Sequence, residues 1–405
     1  HADVGALDAA GGFLTIDAHG DAVFDNVAGA LGVGLTGTGI GAGASVNVLK
    51  SAVTAKLADS TVHAANDPDE AARSGEVRVQ ALSTNEIKGR AVTAGAGGSA
   101  GIGGAAVVTV LGVAPDATAN TEVGGTLGQA GDIASADRLG ETGSEDSDAL
   151  SAEERDTIDT AAKHDLEADV AGAVAYETQA LVEGSVVYAD AMTVEAQDRS
   201  LATSLSGAIG IGVGLGAGGG VGITLMHANV LASIDAASTI DVDGALTVRA
   251  KAAPDAARDN AAKIDAFAGG VGLVGLGAAV AYGRVHNTVS ARFAGDVLDA
   301  DLVQIEAVDD TDLVLNSVGA SAGALAIGVA LANGEKTGAT TAEIVDGSED
   351  LTAETGRSVH RADVTADAMT ITAQGQGEVT AYVVAAAGGL AAAGSGADAH
   401  AKDDT

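Results

Sequence analysis

The chain contains no cysteine and no tryptophan, and it has only 3 Pro, 4 Phe and 4 Tyr among 405 residues. Without cysteine it can form neither a disulfide framework nor a thiolate metal site. Aromatic side chains normally supply much of the buried area of a globular core, so their scarcity argues against an ordinary globular fold. The chain is nevertheless 47% hydrophobic and mostly aliphatic, which is too apolar for intrinsic disorder.

Basic residues are also scarce, with 20 Lys and Arg against 56 Asp and Glu and a net charge of −36. This balance argues against binding to nucleic acid, because phosphate contacts need clustered cations. It disfavours anionic membrane surfaces for the same reason. Such a charge keeps an apolar repeat soluble but is costly unless salt or divalent cations screen it. A saline or calcium-containing exterior fits this composition, and so does the cytoplasm of a halophile.

Glycine is abundant, with 58 residues, and its placement is regular. Aliphatic residues alternate with glycine from Ile209 to Gly216, which is the period of a β-strand and not of a helix. Such a strand has one face without side chains, so a second backbone layer can approach it closely. The pattern therefore predicts thin, closely stacked layers.

A five-residue motif marks the phase of a repeat. It reads LTIDA (14–18), VRVQA (77–81), MTVEA (192–196), LTVRA (246–250), VQIEA (303–307) and MTITA (369–373). The intervals between the first residues are 63, 115, 54, 57 and 66, and the long interval contains an insertion. We predict an all-β fold in which residues 1–405 form one repeat array of about six ~60-residue units, either a β-solenoid or a stacked β-sheet array.

Each copy of the motif leads through a polar connector into a Gly/Ala-rich block. The blocks are 27–48, 92–113, 207–226, 267–282, 318–332 and 383–396. A further strand follows most blocks, as at 52–57, 229–234 and 288–293.

Helix is expected only between these strands. The connectors 66–73 and 253–263 predict single helical turns. The acidic insertion at 125–172 predicts a short helix after the capping-box sequence SAEE (151–154). We interpret the insertion as a solvated appendage, with a binding knob as the alternative.

The two ends of the sequence fit the same repeat. Residues 1–13 align with 233–245, and residues 400–405 can be laid on 227–232, so that tail and head together complete one unit. A direct match between the first residues and 227–230 is also available. We therefore expect either a slice of a longer array or ends that associate head to tail in a homo-oligomeric filament.

The histidines and the acidic clusters are the candidate metal ligands. The eight histidines are His1, His19, His63, His164, His227, His286, His360 and His400. His227 and His286 occupy similar repeat positions, but most units lack the residue, so ordinary edge histidines are the preferred interpretation. The acidic clusters at 67–70, 145–148, 241–243 and 309–312 are interpreted as solvated turns, with loosely bound calcium as the alternative. We predict no cofactor.

No residue is proposed as catalytic, and the protein is predicted not to be an enzyme. The Gly-x-Gly runs lack the lysine of a phosphate-binding loop. A polysaccharide-active β-helix stays an alternative, although aromatic sugar platforms are scarce.

A Gly-rich polytopic membrane protein is the second alternative, because 207–226 is uncharged. The strand-like alternation and the absence of flanking basic residues argue against membrane insertion. We expect the three glycines at 218–220 to form a hairpin or corner.

The recurring cycle resembles the Gly/Ala-rich repeat regions of giant bacterial surface exoproteins and adhesins, the filamentous-haemagglutinin-like group. The resemblance rests on the aliphatic/Gly block, the Asn-Val-x-Ala strand, the acidic turn and the Leu-Thr-Val-x-Ala strand. It covers nearly all of the chain outside 125–172, but the N-terminal secretion module typical of that group is not seen in these residues. It implies an extracellular or cell-surface location and a structural segment of a fibre, adhesin stalk or matrix filament. A cell-surface or matrix partner would follow.

Overall fold

A computed structural model describes residues 3–4, 12–64, 75–112, 177–254, 261–345 and 362–404. These residues form 23 strands and no helix, which confirms the predicted all-β class. Every strand pairing is parallel. The predicted helical insertion at 125–172 and the connector at 66–73 lie outside the described residues. Of the connector 253–263, residues 262 and 263 belong to a strand and are not helical, and residues 255–260 lie outside the described residues.

The six copies of the repeat motif lie side by side in one sheet, here called the closing sheet. Leu14 is opposite Val77, and Met192 is opposite Leu246, so the register is the one that aligns the motif in the sequence. The first, third and fifth motif positions face the core because side chains alternate along a strand. The strands are β2 (Leu14–Gly20), β7 (Glu76–Ser83), β12 (Ala191–Asp198), β16 (Ala245–Ala252), β20 (Leu302–Asp310) and β22 (Ala368–Gln376).

A second sheet consists of five short strands that precede the closing strands. They are β1 (Asp3–Val4), β6 (Thr61–His63), β11 (Val186–Ala189), β15 (Thr239–Val242) and β19 (Asp296–Asp299). An isolated bridge between Val297 and Val364 continues this row.

The Gly/Ala-rich blocks belong to a third, curled sheet of 12 strands. Its members are β3 (Val23–Gly34), β4 (Thr38–Leu49), β5 (Ala52–Ala58), β8 (Glu86–Gly97), β9 (Ala100–Leu111), β10 (Glu177–Glu183), β13 (Leu201–Gly212), β14 (Leu215–Ile234), β17 (Ala262–Val271), β18 (Val274–Phe293), β21 (Leu313–Ile344) and β23 (Val379–Asp404). In four units the chain runs outward along one strand, turns, and returns along the next, which lies against the first. In the last two units a single long strand, β21 or β23, spans the whole block. We call the paired layers formed by the six blocks the blade.

The expected corner at the three glycines 218–220 is wrong, because these residues lie inside β14. The chain turns instead at Val213 and Gly214, between β13 and β14. A Cβ on Gly218 or Gly220 would lie under 3.0 Å from backbone oxygens of the next unit. These two glycines therefore permit close packing and do not form a turn.

The main hydrophobic core lies between the closing sheet and the base of the blade. Its inward positions in the closing strands, such as Leu246 and Val248, are fully buried. Phe293 is among the largest fully buried side chains. The core is thus a stack of aliphatic rows, each row contributed by the same position in successive units.

Candidate functional site

The blade is held together by backbone contact between its two layers. A Cβ built on Gly210 of β13 would lie well under 3.0 Å from the carbonyl oxygen of Ala217 in β14. Gly95 meets Ile102, and Gly32 meets Ile40, in the same way in two other units. The predicted close approach of a second layer to the bare glycine face is therefore confirmed.

The outside of the blade is apolar and uncharged. None of the six blocks contains Asp, Glu, Lys, Arg or His, although the chain carries a net charge of −36. Where glycines such as Gly210 and Gly212 face inward, the alternating aliphatic side chains face outward. At the rim, Leu35 is 91% exposed, Val213 78%, Leu273 62% and Leu390 97%. A group of exposed apolar residues of this kind commonly marks an interaction surface, whereas single scattered ones do not.

Both edges of the closing sheet are open. Among the described residues, β2 and β22 each have a hydrogen-bonded neighbour on one side only. Ile371 of β22 faces the core but is 46% exposed, whereas Val248 at the same motif position is fully buried. The difference arises because none of the described units lies on the outer side of β22. Each edge thus presents unpaired backbone groups and the open end of an apolar core.

A buried ion pair is the most unusual polar feature of the core. Lys336 of β21 is 0% exposed at its side chain and Asp309 of β20 is 1% exposed, and Nζ lies 3.6 Å from Oδ2. The Nζ group also donates to the carbonyl oxygen of Gln376. Asp309 Oδ1 accepts hydrogen bonds from Asn287 Nδ2 at 3.1 Å and from Thr311 Oγ1 at 2.8 Å. Burial raises the pKa of the Asp309 carboxyl, and the neighbouring Lys336 ammonium and the hydrogen bonds oppose this rise.

Our interpretation of 309–312 as a solvated turn is therefore wrong for Asp309. The two-residue period of β20 is the sequence feature that indicates burial of Asp309. Asp309 continues the inward series of Val303, Ile305 and Ala307 in β20, so alternation alone places its side chain in the core. The partner, Lys336, could not be found this way because it lies on another strand across the core.

The histidines do not assemble into a metal site in the described part of the chain. His227 and His286 are opposite each other in the register of β14 and β18 and stack with ring centroids 4.9 Å apart, and His63 stacks on Tyr188. His286 Nδ1 is also hydrogen-bonded to Thr337 Oγ1 at 2.9 Å. No described group of three or more His, Asp or Glu is placed to hold a metal ion. His1, His164 and His360 lie outside the described residues, as do the acidic clusters 67–70 and 145–148, and calcium binding stays a prediction.

The stacked pair makes stability depend on pH. Burial, and next the charge of His286, lowers the pKa of His227 to about 4. Burial also lowers the pKa of His286, with Arg284 acting in the same direction and Glu335 against it. Both pKa values lie below 6.5 in the folded state, so the unfolded chain binds more protons below that pH. The stability contributed by neutral His227 is therefore present above pH 6.5 and lost as pH falls toward about 4.

We expect the thermal midpoint of the wild-type chain to fall more steeply between pH 7.5 and pH 4.5 than that of His227→Gln, measured at constant salt. The variant keeps the acidic residues, so their own pH response cancels in the comparison. His400→Gln, which changes an exposed histidine, is the matched control and should follow the wild type. Equal slopes for His227→Gln and the wild type would contradict the expectation.

No helix long and apolar enough to cross a membrane occurs in the described part of the chain. Comparison with protein-family models, with curated proteins and with solved structures gives no match for this chain.

Proposed function

We propose that this chain is a β-solenoid segment of an extracellular fibre, adhesin stalk or matrix filament. Each unit would be one coil, and coils of another copy would continue the stack beyond β2 and β22. The chain would then act as a structural element and not as an enzyme. A cell-surface or matrix partner would bind the assembled fibre.

The pair of open edges is the observation that carries the proposal. The inward residues Leu14 and Ile16 of β2 occupy the same motif positions as Met369 and Ile371 of β22. Placing β22 of one copy beside β2 of the next repeats the parallel register found within the chain. Such a heterologous contact does not close on itself, so it generates an open fibre.

The blade supplies a second contact, between fibres lying side by side. Two chains of charge −36 repel each other through their acidic surfaces. The uncharged blade is where they can meet with little repulsion, and burying its aliphatic rim is favourable by about 25 cal/mol per Å². We therefore assign the rim residues Leu35, Val213, Leu273 and Leu390 to lateral packing of fibres.

Electron microscopy of the purified chain, without detergent and with and without calcium, tests the proposal. We expect uniform fibres whose diffraction shows the strand spacing of about 4.7–4.9 Å along the fibre axis. Compact particles in every condition would contradict the proposal and favour a polysaccharide-active enzyme. Insolubility without detergent would favour a membrane protein.

Two variants and one control separate the contacts. Ile371→Lys places a charge on the inward face of β22 and should stop growth. Thr370→Lys adds the same charge on the outward face of that strand and should leave fibres intact. Leu273→Asp in the rim should leave single fibres that no longer bundle.

A further inference from the structure

The buried cluster around Asp309 and Lys336 joins two opposite walls of the core. Asp309 comes from β20 in the closing sheet, and Lys336 comes from β21 in the curled sheet. Their side chains are 1% and 0% exposed. In the register row of Lys336, the other units place Leu49, Leu111, Met226 and Val285 at the inward position. Lys336 of β21 therefore follows four apolar residues in this row.

The carboxyl group of Asp309 is oriented by three neighbours. Asn287 Nδ2 lies 3.1 Å from Oδ1, and Thr311 Oγ1 lies 2.8 Å from the same oxygen. The other oxygen, Oδ2, faces Lys336 Nζ at 3.6 Å. The backbone carbonyl of Gln376 accepts a hydrogen bond from Nζ and holds the amine beside the carboxyl group. The amine and the carboxyl group are thus held side by side and shielded from solvent.

We propose that Lys336 and Asp309 condense to an intramolecular amide bond between Nζ and Cγ. The ammonium group first transfers a proton to Oδ2, which leaves a neutral amine and a neutral carboxylic acid. The Nζ lone pair then attacks Cγ, and the negative charge that develops resides on Oδ1. Collapse of this intermediate breaks the Cγ–Oδ2 bond, and Oδ2 leaves as water with its own proton and one from Nζ. The reaction consumes one amine and one acid, releases one water and needs no other reagent.

Several features of the surroundings favour the reaction. Burial in low dielectric disfavours the charged carboxylate and raises the pKa of the Asp309 carboxyl. The hydrogen bonds from Asn287 and Thr311 to Oδ1 are positioned to stabilise the charge that forms there. Holding the two groups together removes the entropic cost of a bimolecular reaction. Exclusion of bulk water opposes the reverse hydrolysis.

The bond would be a covalent cross-link between the two walls of the core. It would tie closing strand β20 to blade strand β21 within one unit and close a loop through the intervening chain. Cross-links of this kind stabilise chiefly by restricting the unfolded chain. In a fibre under tension, this unit would be unable to open by separating these two strands.

Intact-mass spectrometry of the full chain under denaturing conditions tests the proposal, followed by peptide mapping. We expect a mass lower than that of the sequence by one water, and a branched peptide that joins positions 309 and 336. The matched control is Lys336→Arg, which keeps the positive charge but removes the amine. It should show the full mass of its own sequence.

The control also separates the amide from the other source of water loss, a succinimide at an Asp-Gly step such as Asp243-Gly244, which would persist in Lys336→Arg. A full mass for the wild-type chain overturns the proposal. Loss of ammonia with a link to Asn287, or a link to Asp403, which is aligned with Lys336 in β23, overturns the assignment of Asp309 as the acyl group.

Discussion

Replacing Gly210 with alanine is expected to lower the free energy of unfolding by about 1–3 kcal/mol or more, the usual cost of forcing volume into a packed interior. The added Cβ would lie well under 3.0 Å from backbone atoms of both Ala217 and Gly101. A backbone oxygen cannot rotate away as a side chain can. The two layers of the blade must therefore separate in this unit and in the neighbouring unit.

The control is Gly219→Ala in the facing strand of the same unit. Gly219 points outward, and a Cβ there meets no atom within 4 Å. This change should be neutral or stabilising by about 0.4–1 kcal/mol, because alanine restricts the unfolded chain. Urea unfolding of both variants measures the difference. Equal midpoints would show that the bare glycine face is not needed for packing.

Replacing Asp309 with alanine is expected to lower the unfolding free energy by about 3–5 kcal/mol, because it leaves the Lys336 ammonium buried without its counter-charge. It also leaves Asn287 Nδ2 without one of its acceptors. The change removes the acyl group of the proposed amide as well, so the loss includes any covalent contribution.

A double variant, Asp309→Leu with Lys336→Met, separates these effects. It contains neither the charges nor the bond, and a buried pair replaced by apolar residues is often neutral in stability. We expect it to be clearly more stable than Asp309→Ala in urea unfolding. Asp310→Ala, at the exposed neighbouring position, should stay within about 0.5 kcal/mol of the wild type. A double variant as unstable as Asp309→Ala would contradict the electrostatic explanation.

Repetition made much of the fold predictable without a structure. The motif at 14–18 and its five copies align in the sequence as their strands pair in the closing sheet. In a parallel stack each residue lies beside its own counterpart, so a sequence alignment of the units is also a register. The prediction failed where a local pattern has two interpretations. The run of glycines at 218–220 favours a turn, but these residues lie within a strand.

The sequence by itself determined the all-β class, the period of two, the bare glycine face and the uncharged blocks, because each is a property of residues close together in the chain. The tertiary structure decided which side chains meet across the core. Lys336 and Asp309 lie on different strands of opposite walls, and their contact depends on how the curled sheet closes over the closing sheet. It also decided that the aliphatic rim of the blade faces outward, because the bare glycine faces of the two layers pack against each other. The candidate sites therefore became visible only when the layers were assembled.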